Sequence, residues 1–174
     1  DLRSSEVIVL WGSNPAWSRA GLPTYDYLQC KEAGVKFVCV DPFYTPTAKV
    51  LTDDYIPIRP GTDSAAFLAM AYVLLTQDDP ENNPLIDWDF LDRCTIGFDA
   101  DHLPEGADPK KNYRDYVLGT YDGVPKTPEH ASAICGTPVE TIKNFAKEIA
   151  STKPMAWKSS GAPARTYYGN RYAQ

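Results

Sequence analysis

Glu6-Val7-Ile8-Val9-Leu10-Trp11, followed at once by Gly12-Ser13-Asn14-Pro15, decides how the rest of the chain is read. The run is apolar from Val7 to Trp11 without polar alternation, so both faces of the strand must be buried, as in a parallel sheet and unlike a half-solvated antiparallel one. The spacing after it predicts a helix over Thr24–Ala33, stopped by Gly34, whose missing Cβ suits the left-handed position after a helix. Lys36-Phe37-Val38-Cys39-Val40 is a second buried strand ending at Asp41-Pro42. Strand, turn, helix and strand within about 35 residues make one crossover unit. Such units are right-handed and place ligand sites beyond the C-terminal ends of the strands.

Outward from that unit, Asp54–Ile58 reads as a short third strand. Pro57 removes a ladder donor and confines it to an edge. Gly61-Thr62-Asp63 opens a helix over Ser64–Thr76, with Thr62 or Asp63 as N-cap; being apolar on most faces, this helix belongs in a core. Helices are expected over Thr127–Cys135, with Thr127 as cap and Pro128 at its first position, and over Pro138–Ala150, with Thr137 as cap and Thr141, Phe145 and Ile149 facing inward. Lys153–Ser159 reads as a fourth strand. The expected fold is α/β, a Rossmann-like parallel sheet with helices on both faces, in a single domain over residues 1–174. An irregular excursion at about 77–125, rich in Asp-Pro, Asn-Pro and Gly, carries one helix-like stretch at Trp88–Cys94. The tail from Thr166 begins an element with no partner, as in a piece cut from a larger protein.

Composition narrows the function. With 23 acidic against 17 basic residues the net charge is −6, so an extended phosphate backbone would be repelled and nucleic acid is not the expected partner. The longest apolar stretch, Ala65–Leu75, has the length of a core helix, which argues against membrane insertion. The four cysteines, Cys30, Cys39, Cys94 and Cys135, form no CxxC pair, and Cys30 and Cys39 read as small buried hydrophobes. There is no GxSxG, no HExxH and no Cys with a sequence-evident His partner, so no catalytic residue and no protein-bound metal is assigned.

Binding chemistry gathers instead at three strand-to-loop junctions: Gly12-Ser13-Asn14, Val40-Asp41-Pro42 and Gly61-Thr62-Asp63. In a parallel sheet these fall along one rim. Gly12 permits close backbone approach, and Ser13 and Asn14 offer donors for a pyrophosphate or simply close an Asx-type turn. Asp41 stands where such domains set a carboxylate on a ribose, or it caps a turn. Asp63 can accept two N–H bonds from a guanine edge, or cap its helix. Arg59 and Arg165 are phosphate ligands or surface charges. GxGxxG is absent, which disfavours a nicotinamide-dependent dehydrogenase.

Three blocks carry a resemblance: Val9–Pro15, Val40-Asp41-Pro42-Phe43-Tyr44-Thr45-Pro46-Thr47-Ala48, and Ile56–Ala65. With Ile86–Leu91, Lys126–Ala131 and Ser151–Pro154 following in order, the chain resembles the molybdopterin oxidoreductase family, best of all the catalytic subunits of anaerobic dimethyl sulfoxide reductases. The resemblance implies a domain holding one guanosine end of a bis(molybdopterin guanine dinucleotide) that carries molybdenum. It implies that Ser13 and Asn14 face the phosphates, Asp41 the ribose or guanine, and Gly61, Thr62 and Asp63 the guanine. The family's later Gly-rich loop maps onto Ser160–Arg165, which lacks the family's tryptophan. The molybdenum ligand and the iron–sulfur cysteines of the family have no counterpart here, so the resemblance places both, and the catalysis, in the rest of a larger catalytic subunit. It further implies an iron–sulfur electron-transfer subunit, a membrane anchor, and a parent that is exported or faces outward from the cytoplasm; the parent reaction would reduce an S- or N-oxide or transfer an oxygen atom in another way. The competing reading is a free-standing nucleotide-binding or interaction module without catalysis.

Overall fold

The computed structural model describes residues 2–18 and 23–159. The Gly-rich loop at 160–165 and the tail lie outside the described residues. The chain divides into two compact units, one comprising the residues up to Ser64, Cys135–Thr137 and the chain from Thr152, the other Ala65–Ile134 with Pro138–Ser151.

The first unit is built on four strands, β1 (Val7–Trp11), β2 (Lys36–Asp41), β3 (Asp54–Pro57) and β4 (Met155–Ser159), all parallel, in the order β3-β2-β1-β4. Strand order therefore reverses at β1, which pairs with β2 on one side and β4 on the other. All five residues of β1 are buried, as its unbroken apolar run requires. β3 lies at the sheet's edge, where Pro57 costs no ladder bond. Helices flank the sheet: α1 (Pro15–Ser18), α2 (Pro23–Glu32) and α3 (Pro46–Leu51). One face of the sheet packs Ile8, Leu10, Phe37 and Cys39 against Tyr27 and Cys30 of α2 and Ala48 and Leu51 of α3; the Tyr27 and Phe37 rings meet edge to face at 6.0 Å. Val7, Val9, Trp11, Val38 and Val40 are equally buried.

The expected strands and the helix before Gly34 are present within one or two residues, and Gly34 takes φ +90°. α1 and α3 were not expected. α3 has a local cause: Thr45 caps it, accepting the Ala48 N–H at 3.1 Å, and Pro46 opens its first turn. Thr137 does not cap a helix as expected. Its hydroxyl donates to the Pro57 carbonyl at 2.8 Å, tying the Cys135–Thr137 stretch to the end of β3.

The second unit holds the rest of α4 (Asp63–Gln77), then α5 (Trp88–Cys94), α6 (Tyr113–Leu118), α7 (Pro128–Cys135) and α8 (Val139–Ser151). Only one stripe of α4, Ala66, Ala69, Met70 and Val73, is fully buried; Leu74 and Leu75 instead line a groove of about 260 Å³ with Leu85, Phe90 and Leu91. In α8 Phe145 is buried as expected, but with Ile142 and Ala146 rather than Thr141 and Ile149. Thr127 does cap α7, its hydroxyl oxygen accepting the His130 N–H at 3.2 Å. The segment between α4 and α7 is organised by carboxylates and amides rather than by an apolar core. Asn112 caps α6, its Oδ1 accepting the Asp115 N–H, while its side-chain amide donates to the Asp115 carboxylate. Gly119 ends it at φ +78°, where an added Cβ would lie 2.3 Å from the Pro125 nitrogen. His102 sits between Asp99 and Asp92, and the Asp99 hydrogen bond raises its pKa above the usual imidazole value. No helix among the described residues is long and apolar enough to cross a membrane.

Asp78 is the principal tie of this segment, accepting from Leu85 N–H at 2.7 Å, Ile86 N–H at 3.0 Å and the Trp88 indole N–H at 2.6 Å. Asp78→Ala strands three donors and should destabilise the protein by about 2–3 kcal/mol, read as a lower urea midpoint; a shift worth under about 0.5 kcal/mol would deny the tie any weight.

Candidate functional site

The three junctions singled out in the sequence meet at the C-terminal end of the sheet, and all lie within the first unit. Gly12, immediately after β1, adopts φ +56°, a conformation cheap only for glycine. Its N–H donates to the Val40 carbonyl at 2.8 Å, which joins the first junction to the second one step beyond the regular ladder. Asn14 precedes α1 and accepts through its main-chain carbonyl from Trp17 and Ser18 N–H groups.

The side chain of Asn14 is fixed by a residue the sequence reading passed over. Thr47, on α3, is 0% exposed. Its Oγ1 accepts the Ala16 N–H at 3.0 Å and donates to Asn14 Oδ1 at 2.7 Å. A buried hydroxyl must place its proton, and Asn14 Oδ1 is the acceptor within reach among the described residues. The Asn14 amide is thereby oriented, with Oδ1 engaged and the Nδ2 group left as the donor.

At the second junction Asp41 closes a turn, accepting the Phe43 N–H at 3.1 Å through Oδ1, while its carbonyl accepts from the Tyr55 hydroxyl at 2.7 Å. Burial pushes the Asp41 carboxyl above its ordinary pKa. The Phe43 N–H opposes that rise, and the negative charge of Asp63 adds to it. The Asp41 carboxyl therefore senses the charge of Asp63 across the rim.

At the third junction Gly61 takes φ +76°. Thr62 turns its hydroxyl back to the Arg59 carbonyl at 2.7 Å, and Asp63 is the first residue of α4. The capping role expected of Thr62 or Asp63 gives way to other bonds. Asp63 Oδ1 accepts the indole N–H of Trp11 at 2.8 Å, a bond that crosses from the third junction to the end of β1. Trp11 is 2% exposed and stacks on Trp157 of β4, ring centroids 5.4 Å apart.

The structure thus links Gly12 to Val40 directly, Asp63 to the end of β1 through Trp11, and Asp41 to Asp63 by charge, while Asn14 is tied to Thr47; Ser13, Pro42, Gly61 and Thr62 lie on the same three loops. Arg59 packs its side chain beside Gly136, where an added Cβ would meet Nε at 3.3 Å. Arg165 lies outside the described residues. Trp11 and Thr47 were the residues missed. Their signals were a large polar-tipped ring ending an otherwise aliphatic strand and a threonine one step inside a Pro-started helix.

Residues 1–95, more than half of the chain, match the family model of the molybdopterin oxidoreductases. The chain belongs to the molybdopterin oxidoreductase family. It is 40% identical over 169 residues to dimethyl sulfoxide reductase DmsA of Escherichia coli (strain K12), with 95% of this chain and 20% of that protein covered. It is 34% identical over 161 residues to the trimethylamine-N-oxide reductase of Haemophilus influenzae, covering 88% of this chain and 17% of that one. It therefore spans about a fifth of the length of these molybdopterin oxidoreductases. Among solved structures, acetylene hydratase from Pelobacter acetylenicus superposes with a TM-score of 0.64 at 21% identity, over 94% of this chain and 19% of that one, a likeness of fold.

Two outcomes follow from the rim's geometry. Thr47→Val keeps the shape but removes both hydrogen bonds of the strap; it should cost about 1–3 kcal/mol in chemical denaturation, and a change within about 0.5 kcal/mol would show the strap to be idle. Asp63→Asn removes the neighbouring charge and should lower the Asp41 pKa followed by carboxyl NMR, without erasing the part due to burial. Because the folded-state pKa of Asp41 is raised, its contribution to stability is largest at low pH and declines as pH climbs from the unfolded value through the folded one. Asp63→Asn should flatten that decline, and an unmoved Asp41 titration would separate the two carboxylates.

Proposed function

We propose that this chain holds the guanosine diphosphate end of a molybdopterin guanine dinucleotide within a molybdenum oxidoreductase of the dimethyl sulfoxide reductase type. The observation carrying this reading is the bonded convergence of the three junctions at the C-terminal rim of a parallel sheet, starting from β1, the strand at which the order reverses. Ligands of open α/β sheets bind at such a switch point.

The donor set fits the group. A guanine edge presents N1–H and N2–H donors, which a carboxylate accepts in pairs, and ribose hydroxyls likewise donate; Asp63 and Asp41 supply acceptors for both. A diphosphate needs the opposite: Ser13 and Asn14 supply main-chain N–H groups and Asn14 its oriented Nδ2 amide, while Gly12, whose own N–H is bonded to Val40, permits close approach. Two carboxylates near one another repel a diphosphate, at roughly 1–4 kcal/mol per close charge pair across the dielectric range of a protein surface. That sets the ligand's direction: base and ribose toward Asp41 and Asp63, phosphates toward Asn14. Val40, Pro42, Gly61 and Thr62 line the path between.

When bound, the cofactor's molybdenum supplies two-electron, oxygen-atom-transfer chemistry, with an S- or N-oxide as the substrate class. The chain's own residues bind and orient the nucleotide end. The second pterin guanine dinucleotide, the molybdenum ligand and an iron–sulfur cluster belong to the remainder of the catalytic subunit. An iron–sulfur electron-transfer subunit and a membrane anchor would be its further partners, in an exported or outward-facing enzyme.

In the full-length protein Asp63→Asn retains an oxygen for Trp11 but sets an amide donor against the guanine donors. Guanine nucleotide and molybdenum per polypeptide, measured by chromatography after acid release and by mass spectrometry, should fall several-fold with thermal unfolding little changed, since a bidentate base contact is worth about 1–3 kcal/mol. Unchanged content would remove Asp63 from the guanine site.

A further inference from the structure

We infer that Trp11 is a positioning residue for guanine selection: its indole N–H locks the Asp63 carboxylate in the plane that reads the base. The inference rests on the nucleotide reading above and deepens it. A carboxylate on an aspartate swings broadly about its last torsion, and a base edge is read in pairs only when both oxygens lie in the plane of the base. A carboxylate left to swing must be stilled on binding, and that ordering weakens affinity and blurs selection.

Trp11 is held firmly enough to still it. It is the last residue of β1, laddered to Val40 on one side and Ser159 on the other. Its ring is 2% exposed and stacked on Trp157. An indole nitrogen has one donor and no acceptor, so the 2.8 Å bond to Asp63 Oδ1 can run in one sense only. Among the described residues Oδ1 keeps a second lone pair and Oδ2 keeps both, enough to accept N1–H and N2–H of guanine. The anchor belongs to the sheet while the carboxylate belongs to the first turn of α4, so the bond also sets the third junction against the end of β1. A bond that merely filled a buried donor would carry no such consequence for base identity.

The test uses the full-length protein freed of cofactor, with GDP, inosine diphosphate and ADP as probes. Inosine lacks the exocyclic amine of guanine, so the ratio of GDP to inosine diphosphate affinity measures the paired reading, and ADP reports the ribose and phosphate contacts alone. The unmodified protein should prefer GDP to inosine diphosphate about tenfold or more. Trp11→Phe removes the donor, and the ratio should shrink about three- to tenfold with ADP affinity unchanged. An analogue at position 11 with a ring sulfur in place of the indole N–H preserves the shape and should do the same, covering the case in which the phenylalanine variant does not fold. Equal losses for all three nucleotides, or a preserved ratio in the sulfur analogue while Asp63→Asn abolishes it, would overturn the positioning role and leave the guanine reading standing. If Asp63→Asn also preserves the ratio, the guanine reading itself fails.

Discussion

Pairing of β1 on both of its edges is the constraint from which the rest of the first unit follows. Its main chain is bonded to β2 and β4, and its five side chains are buried on both faces. A strand in that position has no freedom to slide, because a shift of one residue would exchange the side chains of its two faces. Trp11 is therefore delivered to one fixed place at the rim, and Gly12 leaves the sheet at the same height every time. The Gly12 to Val40 bond and the Trp11 to Asp63 bond extend that fixity outward into loops that would otherwise be held only by their turns.

Electrostatically, the rim is divided. Asp41 and Asp63 make one part of it acidic enough to raise the Asp41 pKa once burial has begun the work, while the Gly12–Asn14 side is a place of N–H groups. In a chain whose net charge is −6, an anion held at this rim would depend on this local division and not on any overall attraction. The neutral strap from Thr47 is suited to that end, since it orients a donor without adding charge.

Legibility in the sequence followed the range of the interactions involved. Strands β1 and β2 were readable because an unbroken apolar run can be satisfied only by burial on both faces, and Gly34 marked a helix end through its own backbone chemistry. The convergence of Gly12, Asp41 and Asp63 was readable because parallel strands share a C-terminal edge. The short helices α1, α3 and α6 were not, because each is a turn or two long; α3 and α6 owe their form to the caps Thr45 and Asn112, a signal that also fits a plain loop. Trp11 to Asp63 joins residues 52 apart in sequence, and nothing local marks it. For the same reason Asp63 and Thr137 looked like caps: side chains that satisfy nearby N–H groups in most helices were drawn off here by partners from elsewhere in the fold.

The position of β4 has a kinetic consequence. β1 and β2 pair across about 30 residues of chain, whereas β1 and β4 pair across about 150, which adds roughly 1.5 kcal/mol of loop-closure entropy. Strands β1 to β3, and with them Gly12, Asp41 and Asp63, are complete in the first 64 residues, and during synthesis they emerge well before β4 exists. Most of the rim can thus assemble early, while the far edge of β1 is paired only when β4 docks, an order in which the nascent chain passes through a stage with the three junctions formed and one edge of β1 still open.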